Sequence, residues 1–196
     1  MSPAVVLVGP PGAGKTTVGQ LLATRWGVDF ADTDDLVEAR TGRVIADIFT
    51  SDGEPAFREL EREAVAQALA SHAGVLALGG GAVLAEETRT ALSGHPVVLL
   101  SVGLAAGVRR TGLSTARPLL AGVNPRATFA ALLAERLPVY RAVAVHEIGT
   151  DERTAEEVAD AVHAALTAAE AAAEDATTAG DTTSAGDTSA PAGHRG

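Results

Sequence analysis

The sequence predicts a doubly wound α/β fold, a parallel sheet flanked by helices, and three observations carry that expectation. An apolar run, Ala4-Val5-Val6-Leu7-Val8, leads straight into Gly9-Pro-Pro-Gly-Ala-Gly-Lys-Thr16, which fits the phosphate-loop pattern G-x-x-x-x-G-K-[ST] in full. Apolar stretches recur at residues 75–78 and 96–102 with the unbroken hydrophobicity of strands buried on both faces. Between them lie segments whose apolar residues repeat at helical spacing, so strand and helix alternate. In such a sheet, ligands gather at the carboxyl ends of the strands.

The first strand is followed by glycines whose backbone N–H groups can turn around an anion with no Cβ in the way. The next helix presents its positive end to the same anion. That helix carries Val18, Leu21, Leu22 and Trp26 on one face and stops at Gly27. Residues 28–32 read as a short strand and residues 35–40 as a helix broken by Thr41-Gly42, with Ile45, Ile48 and Phe49 in a short apolar helix after it. Residues 55–70 place Phe57, Leu60, Ala64, Val65, Ala68 and Leu69 at helical spacing, and Pro55 suits a first turn. The strand at 75–78 ends in Gly79-Gly80-Gly81, and residues 96–102 form another strand. Residues 126–143 make a long helix with Phe129, Leu132, Leu133, Leu137 and Tyr140 inward and a kink expected at Pro138. Residues 145–148 give the last strand. Thr154-Ala-Glu-Glu157 then fits a capping box that opens a final helix with Val158, Val162 and Leu166. From Ala171 onward Ala, Thr, Gly, Asp and Ser dominate and no large apolar residue occurs. We therefore expect one domain over residues 1–170 and a disordered acidic tail over 171–196.

Composition narrows the function classes. At 196 residues and 46% hydrophobic, the chain can bury one substantial core. It has no cysteine, which excludes disulfides and thiolate metal sites. No apolar run approaches the ~20 residues of a membrane span, and the N-terminus lacks a basic flank and hydrophobic signal segment, so a cytoplasmic enzyme without a membrane partner is expected. The net charge is −10, but residues 1–150 hold 15 acids and 13 bases while residues 151–196 hold 10 acids and 2 bases. The body thus keeps arginine for a local anion site but lacks the broad basic surface that nucleic acid needs. Lys15 is the only lysine among 15 basic residues, which marks a compact ammonium at the phosphate loop. No apolar stripe is evident outside the periodic faces, and a monomer is expected.

Lys15 is placed to reach the β- and γ-phosphates of a nucleotide, and the Thr16 hydroxyl to ligate Mg²⁺, so ATP and Mg²⁺ are the expected cofactors. Gly12, Ala13, Gly14 and Thr17 complete the loop's contacts. The loop identifies the nucleotide and not the acceptor. Asp32 and Asp34 lie two apart at the end of the second strand, where an extended backbone would point both carboxylates to one side. Arg58, with Glu61 one turn later, follows Asp52-Gly-Glu54, and the triple glycine ends a core strand beside the phosphate site. Arg109-Arg110, Arg117-Pro118-Leu119-Leu120 and Arg136 add guanidinium groups. Each has a plainer reading on spacing alone. Asp34 could cap the next helix, Arg109 and Arg110 could complement a helix C-terminus, Arg136 could be a solvated charge, and the glycines could simply permit a tight turn. The five histidines fall in no metal or triad spacing.

Together these residues resemble shikimate kinase. Asp32-Thr33-Asp34, Ile45-Ala-Asp-Ile-Phe49, Asp52-Gly-Glu54 with Phe57-Arg58, Gly79-Gly80-Gly81 and Arg117-Pro118-Leu119-Leu120 look like that family's motifs in its order and spacing, over residues 4–166. The resemblance implies a P-loop kinase of the nucleoside monophosphate kinase-like fold with a mobile lid. It also implies ATP-dependent phosphorylation of the 3-hydroxyl of shikimate, a step toward chorismate and the aromatic amino acids. By the same resemblance Asp32 helps hold Mg²⁺ through water, Asp34 contacts the hydroxyls of shikimate, and Arg58 and Arg136 pair with its carboxylate. The backbone at Gly80, flanked by Gly79 and Gly81, contacts its ring. Lys15, Asp34 and Arg117 form the catalytic set, with Arg117 in a lid over residues 113–122 that closes on ATP. Arg110 joins the nucleotide contacts, and Arg153 matches a region that contacts adenine. Physical chemistry agrees: a carboxylate calls for planar bidentate donors, which arginine provides and lysine does not. Glu61 would hold Arg58 in its rotamer.

Two other readings compete with this one. Another small-molecule kinase of the same fold, such as a gluconate or nucleoside monophosphate kinase, shares the phosphate loop, although two arginines placed for a carboxylate argue against a nucleotide acceptor. A nucleotide-dependent switch or regulatory ATPase is the third. No N-K-x-D or D-x-x-G occurs for a GTP switch, and the strand at 75–78 ends in glycine instead of the Asp-Glu of a motor ATPase.

Overall fold

A computed structural model describes residues 2–111 and 124–181. The unbroken apolar runs become β1 (Val5–Val8), β3 (Val75–Ala77) and β4 (Val97–Ser101). With β2 (Phe30–Asp32) and β5 (His146–Gly149) they form a parallel sheet in the order β2-β3-β1-β4-β5. Every residue of β1 and β3 is buried, as helices on both faces require, while β5 at the edge alternates half-buried and exposed positions. Leu7 of β1 lies between Ala77 and Val98. Because β2 and β3 stand on one side of β1 and β4 and β5 on the other, a crevice opens at the carboxyl end of β1, where the phosphate loop sits.

The described helices are α1 (Lys15–Trp26), α2 (Thr33–Thr41), α3 (Ile45–Ser51), α4 (Glu54–Ser71), α5 (Glu86–Ala91), α6 (Leu104–Thr111), α7 (Pro125–Val143) and α8 (Ala155–Asp181). Strand alternation splits the core into two layers. Val5, Leu7, Val98 and Leu100 pack with Val18 and Leu22 of α1, Phe129 of α7, and Val158 and Val162 of α8. On the opposite face Val6, Val8, Leu76 and Leu99 meet Val65 and Leu69 of α4 and Tyr140 of α7. A smaller cluster of Val37, Ile48, Phe57 and Ala64 joins α2, α3 and α4 beside the site.

The structure corrects the sequence reading at several points. α2 starts at Thr33, with Asp32 as its N-cap: the Asp32 carboxylate accepts the Asp34 N–H at 3.0 Å. Asp34 is therefore in the first turn of a helix and not on extended backbone, and the capping role falls to Asp32. A 3-10 turn (Ala82–Leu84) and α5 were not anticipated; they are short, and neither repeats an apolar face long enough to register. α6 carries Arg109 and Arg110 in its last turn, where the plainer reading of those arginines put a helix C-terminus. α7 continues through Pro138 to Val143. The capping box is present in full, with Thr154 Oγ1 accepting the Glu157 N–H at 3.2 Å and Glu157 Oε2 accepting the Thr154 N–H at 2.8 Å.

At its far end α8 runs to Asp181, into the segment expected to be a disordered tail. The compositional argument weighed only burial. A helix already nucleated on packed turns needs only propagation, which the run Ala171-Ala-Ala-Glu174 favours. Residues 182–196, the remainder of that tail, lie outside the described residues, as do Arg117 and the expected lid at 113–122. The α8 side chains in the core are Val158, Ala159 and Val162, with Leu166 packed against them. Truncation after Glu170 should therefore leave activity intact and move the thermal midpoint by no more than about 2 °C. A larger drop in a melting experiment would show that the deleted segment docks.

Candidate active site

The phosphate loop holds its own cation. Lys15 Nζ donates to the carbonyls of Gly9 at 2.8 Å and Pro10 at 3.3 Å, which keeps the ammonium folded over the loop. Ala13 is buried and its N–H bonds the Pro10 carbonyl at 3.2 Å, while Thr16 and Thr17 face outward at the start of α1. Thr16 Oγ1 donates to Asp32 Oδ2 at 2.8 Å, which brings the end of β2 to the loop. One carboxylate thus uses one oxygen to cap α2 and the other to meet Thr16.

A cavity of about 520 Å³ opens beside the loop. Its polar wall is made of Lys15, Thr16, Asp32, Asp34, Arg58, Glu61 and Arg136 with the three glycines, and its apolar wall includes Ile45, Phe49, Phe57 and Leu132. Glu61 is buried, and its carboxylate accepts Arg58 Nη1 at 2.6 Å, as expected for a residue that fixes the arginine rotamer. Glu54 holds the same guanidinium from the other side, accepting from Nη2 at 2.9 Å and Nε at 3.2 Å. Arg58 also lies 5.3 Å from the centre of the Phe57 ring, which in turn packs on Phe49. Burial pushes the Glu61 carboxyl above its ordinary range, and the Arg58 and Arg136 charges oppose that rise. Desolvation, followed by the charges of Asp32 and Glu38, also raises Asp35 at the cavity wall.

Arg136 is buried, so the solvated-charge reading does not hold. Its Nη1 donates to the Gly80 carbonyl at 3.1 Å, and its Nε is buried with no acceptor. The Tyr140 hydroxyl, one turn later on α7, donates to the same carbonyl. Burial pushes Tyr140 from 10.0 up to about 12, against a smaller pull from Arg136. The unfolded chain then releases this proton first, so the contribution to stability is whole below pH 10 and is lost as pH rises toward 12. Since the chain has one tyrosine, ultraviolet titration reads this group alone, and the native protein should show little tyrosinate at about pH 11.

The triple glycine is both a tight turn and part of the site. A Cβ on Gly79 would lie 2.5 Å from Asp34 Oδ1 and 2.6 Å from Glu61 Oε1, and one on Gly81 would lie 2.3 Å from Arg58 Nη1. The Gly79 N–H is held at 2.8 Å by the hydroxyl of Thr33, which is fully buried.

Of the residues selected from sequence, Lys15, Thr16, Asp32, Asp34, Arg58, the glycines and Arg136 line one cavity. Arg110 stands on the far side of the loop. Its Nη1 reaches Thr150 Oγ1 at 2.9 Å and the Gly12 carbonyl at 3.3 Å, and its Nη2 reaches the Thr150 carbonyl at 2.8 Å. Arg109 is exposed at the end of α6, and Arg153 is exposed in the loop between β5 and α8. The sequence reading missed the hydroxyls of Thr33 and Tyr140. The signal available for Tyr140 was the chain's one phenol within an otherwise apolar stripe, because a buried phenol needs an acceptor.

Comparison with known proteins gives the family. The shikimate kinase family model matches residues 11–167. The chain is 63% identical over 175 residues to the shikimate kinase of Saccharopolyspora erythraea, covering 89% of this chain and 100% of that one. It is 58% identical over 167 residues to the shikimate kinase of Thermobifida fusca, covering 85% and 96% respectively. It is also similar to a solved structure, shikimate kinase from Acinetobacter baumannii in complex with shikimate. That likeness has a TM-score of 0.82 and 37% identity over 86% of this chain and 94% of the other. A chain this similar along nearly the whole length of its relatives belongs to the shikimate kinase family, ATP-using enzymes of the shikimate pathway in aromatic amino acid biosynthesis.

Proposed function

We propose that this chain transfers the γ-phosphoryl group of ATP to the 3-hydroxyl of shikimate, giving shikimate 3-phosphate and ADP, in the cavity beside the phosphate loop. The observation that carries this reading is the pair of guanidinium groups. Arg58 and Arg136 enter the cavity from different helices, and Arg136 keeps a buried Nε donor with no acceptor. A carboxylate satisfies such donors. Ile45, Phe49, Phe57 and Leu132 give the same cavity an apolar wall, which suits a carbocyclic ring better than an open polyol chain. The related Acinetobacter baumannii enzyme was solved with shikimate, in keeping with this choice.

The residues then divide the work. Lys15 turns from its carbonyl partners to the β- and γ-phosphates, and Arg117 adds charge there. Arg58 and Arg136 anchor the carboxylate, so that the acceptor hydroxyl is presented to Asp34, which takes its proton. Arg110 steadies the phosphate loop through Gly12 and Thr150 and, with Arg153, belongs to the nucleotide side. Thr16 and Asp32 present hard oxygens 2.8 Å apart, a donor set that fits Mg²⁺, which takes few protein ligands beside phosphate and water oxygens. When bound, that ion neutralises charge on the phosphate oxygens. We further propose a cytoplasmic monomer. Its exposed large apolar side chains among the described residues are Leu36 on α2 and Val28, Val44 and Val145 in three separate connecting segments.

ADP release measured with shikimate, gluconate, a nucleoside monophosphate or no acceptor tests the reading. Release should require shikimate. Equal release without an acceptor, or preference for another acceptor, would overturn it.

A further inference from the structure

We propose that Tyr140 is a positioning residue for shikimate: by fixing the Gly80 carbonyl together with Arg136, it sets the angle of that guanidinium and the direction of the Gly81 N–H. The inference rests on the reading of this cavity as the shikimate site.

Tyr140 is fully buried on α7, one turn beyond Arg136, and both side chains donate to one carbonyl oxygen. A core position in that layer needs only volume, which phenylalanine would supply with no polar atom to satisfy. The hydroxyl adds a second restraint on a peptide that has no side chain to hold it. In a planar trans peptide the carbonyl and the following N–H point in opposite directions, and no cis bond occurs among the described residues. Drawing the Gly80 carbonyl toward α7 therefore turns the Gly81 N–H away from α7. Two other donors of the turn are already used, Gly79 N–H by Thr33 Oγ1 and Ala82 N–H by the Gly79 carbonyl. The Arg58 guanidinium occupies the space a Gly81 Cβ would need, so a ligand oxygen beside Gly81 meets donors from both. Arg136, with Nη1 committed to Gly80 and Nε without a partner, is held in one orientation by the carbonyl that Tyr140 shares. Thus a side chain behind the cavity wall sets two donors at its surface.

Steady-state kinetics of wild type and Tyr140→Phe test this. The KM for shikimate should rise roughly threefold to tenfold, as for loss of one ordinary hydrogen bond, while the KM for ATP stays within twofold. Melting temperature does not discriminate, because either role lowers it. An unchanged KM for shikimate, or equal rises in both KM values, overturns the proposal. If wild type does not turn over shikimate at all, the assignment of the cavity fails and the inference falls with it. A second measurement needs no variant. With ¹³C at the tyrosine ζ carbon the native protein gives one phenol resonance, and saturating shikimate without nucleotide should shift it. No shift would equally overturn the proposal.

Discussion

Asp34→Asn is expected to lower turnover by roughly two to four orders of magnitude, the usual range for losing general-base help, with fold and ATP affinity retained. Asp34 Oδ1 lies where a Gly79 Cβ would come within 2.5 Å, so the carboxylate is packed directly on the glycine turn that borders the cavity. Asparagine keeps that shape and removes the negative charge that draws a proton from the acceptor. Helix capping does not explain the residue, because Asp32 caps α2 and Asp34 supplies the bonded N–H. A loss of about 1 kcal/mol of stability should therefore follow Asp32→Ala, as for a missing cap, and not Asp34→Asn. The Asn variant gives up the favourable charge in the first turn, about 0.3–1 kcal/mol. Turnover and melting temperature measured on both variants separate the roles. Near-wild-type turnover in Asp34→Asn would remove Asp34 from the catalytic set.

Arg58→Lys and Arg136→Lys should each weaken shikimate binding by roughly tenfold to a hundredfold while ATP binding persists, since charged hydrogen bonds of fixed geometry are lost. The Arg136 change should be the larger. Arg136 is 8% exposed and bonds the Gly80 carbonyl, and its charge opposes the rise in the Glu61 carboxyl's pKa, so a shorter ammonium must give up packing, a backbone contact and part of that compensation together. Arg58 is anchored by Glu54 and Glu61, and a lysine there can still meet one of them. Calorimetric titration with shikimate, then with an ATP analogue, checks both. Unchanged shikimate affinity in the two variants would rule out the carboxylate assignment.

The sheet was legible because its central strands are buried on both faces and leave uninterrupted apolar runs, with the phosphate loop anchoring one of them. The site was legible as a set of residue types: two aspartates, two arginines and a glycine turn. Its geometry was less so. Spacing placed Asp34 on a strand, whereas three residues of β2 and a capping carboxylate put it on a helix. Thr33 and Tyr140 act across 46 and 60 residues of chain, on single backbone atoms, and no local pattern records such a pairing.

The glycine turn also constrains how this enzyme can diversify. A Cβ at Gly79 would displace Asp34 and Glu61, one at Gly80 would press at 3.3 Å on Pro11 of the phosphate loop, and one at Gly81 would displace Arg58. Three adjacent positions thus answer to four separate neighbours, so no single compensating change elsewhere opens room for all of them. Lineages that acquire a new acceptor are therefore expected to keep these glycines and to vary Ile45, Phe49 or Leu132, where one apolar side chain can be exchanged for another of different volume without moving a reacting atom.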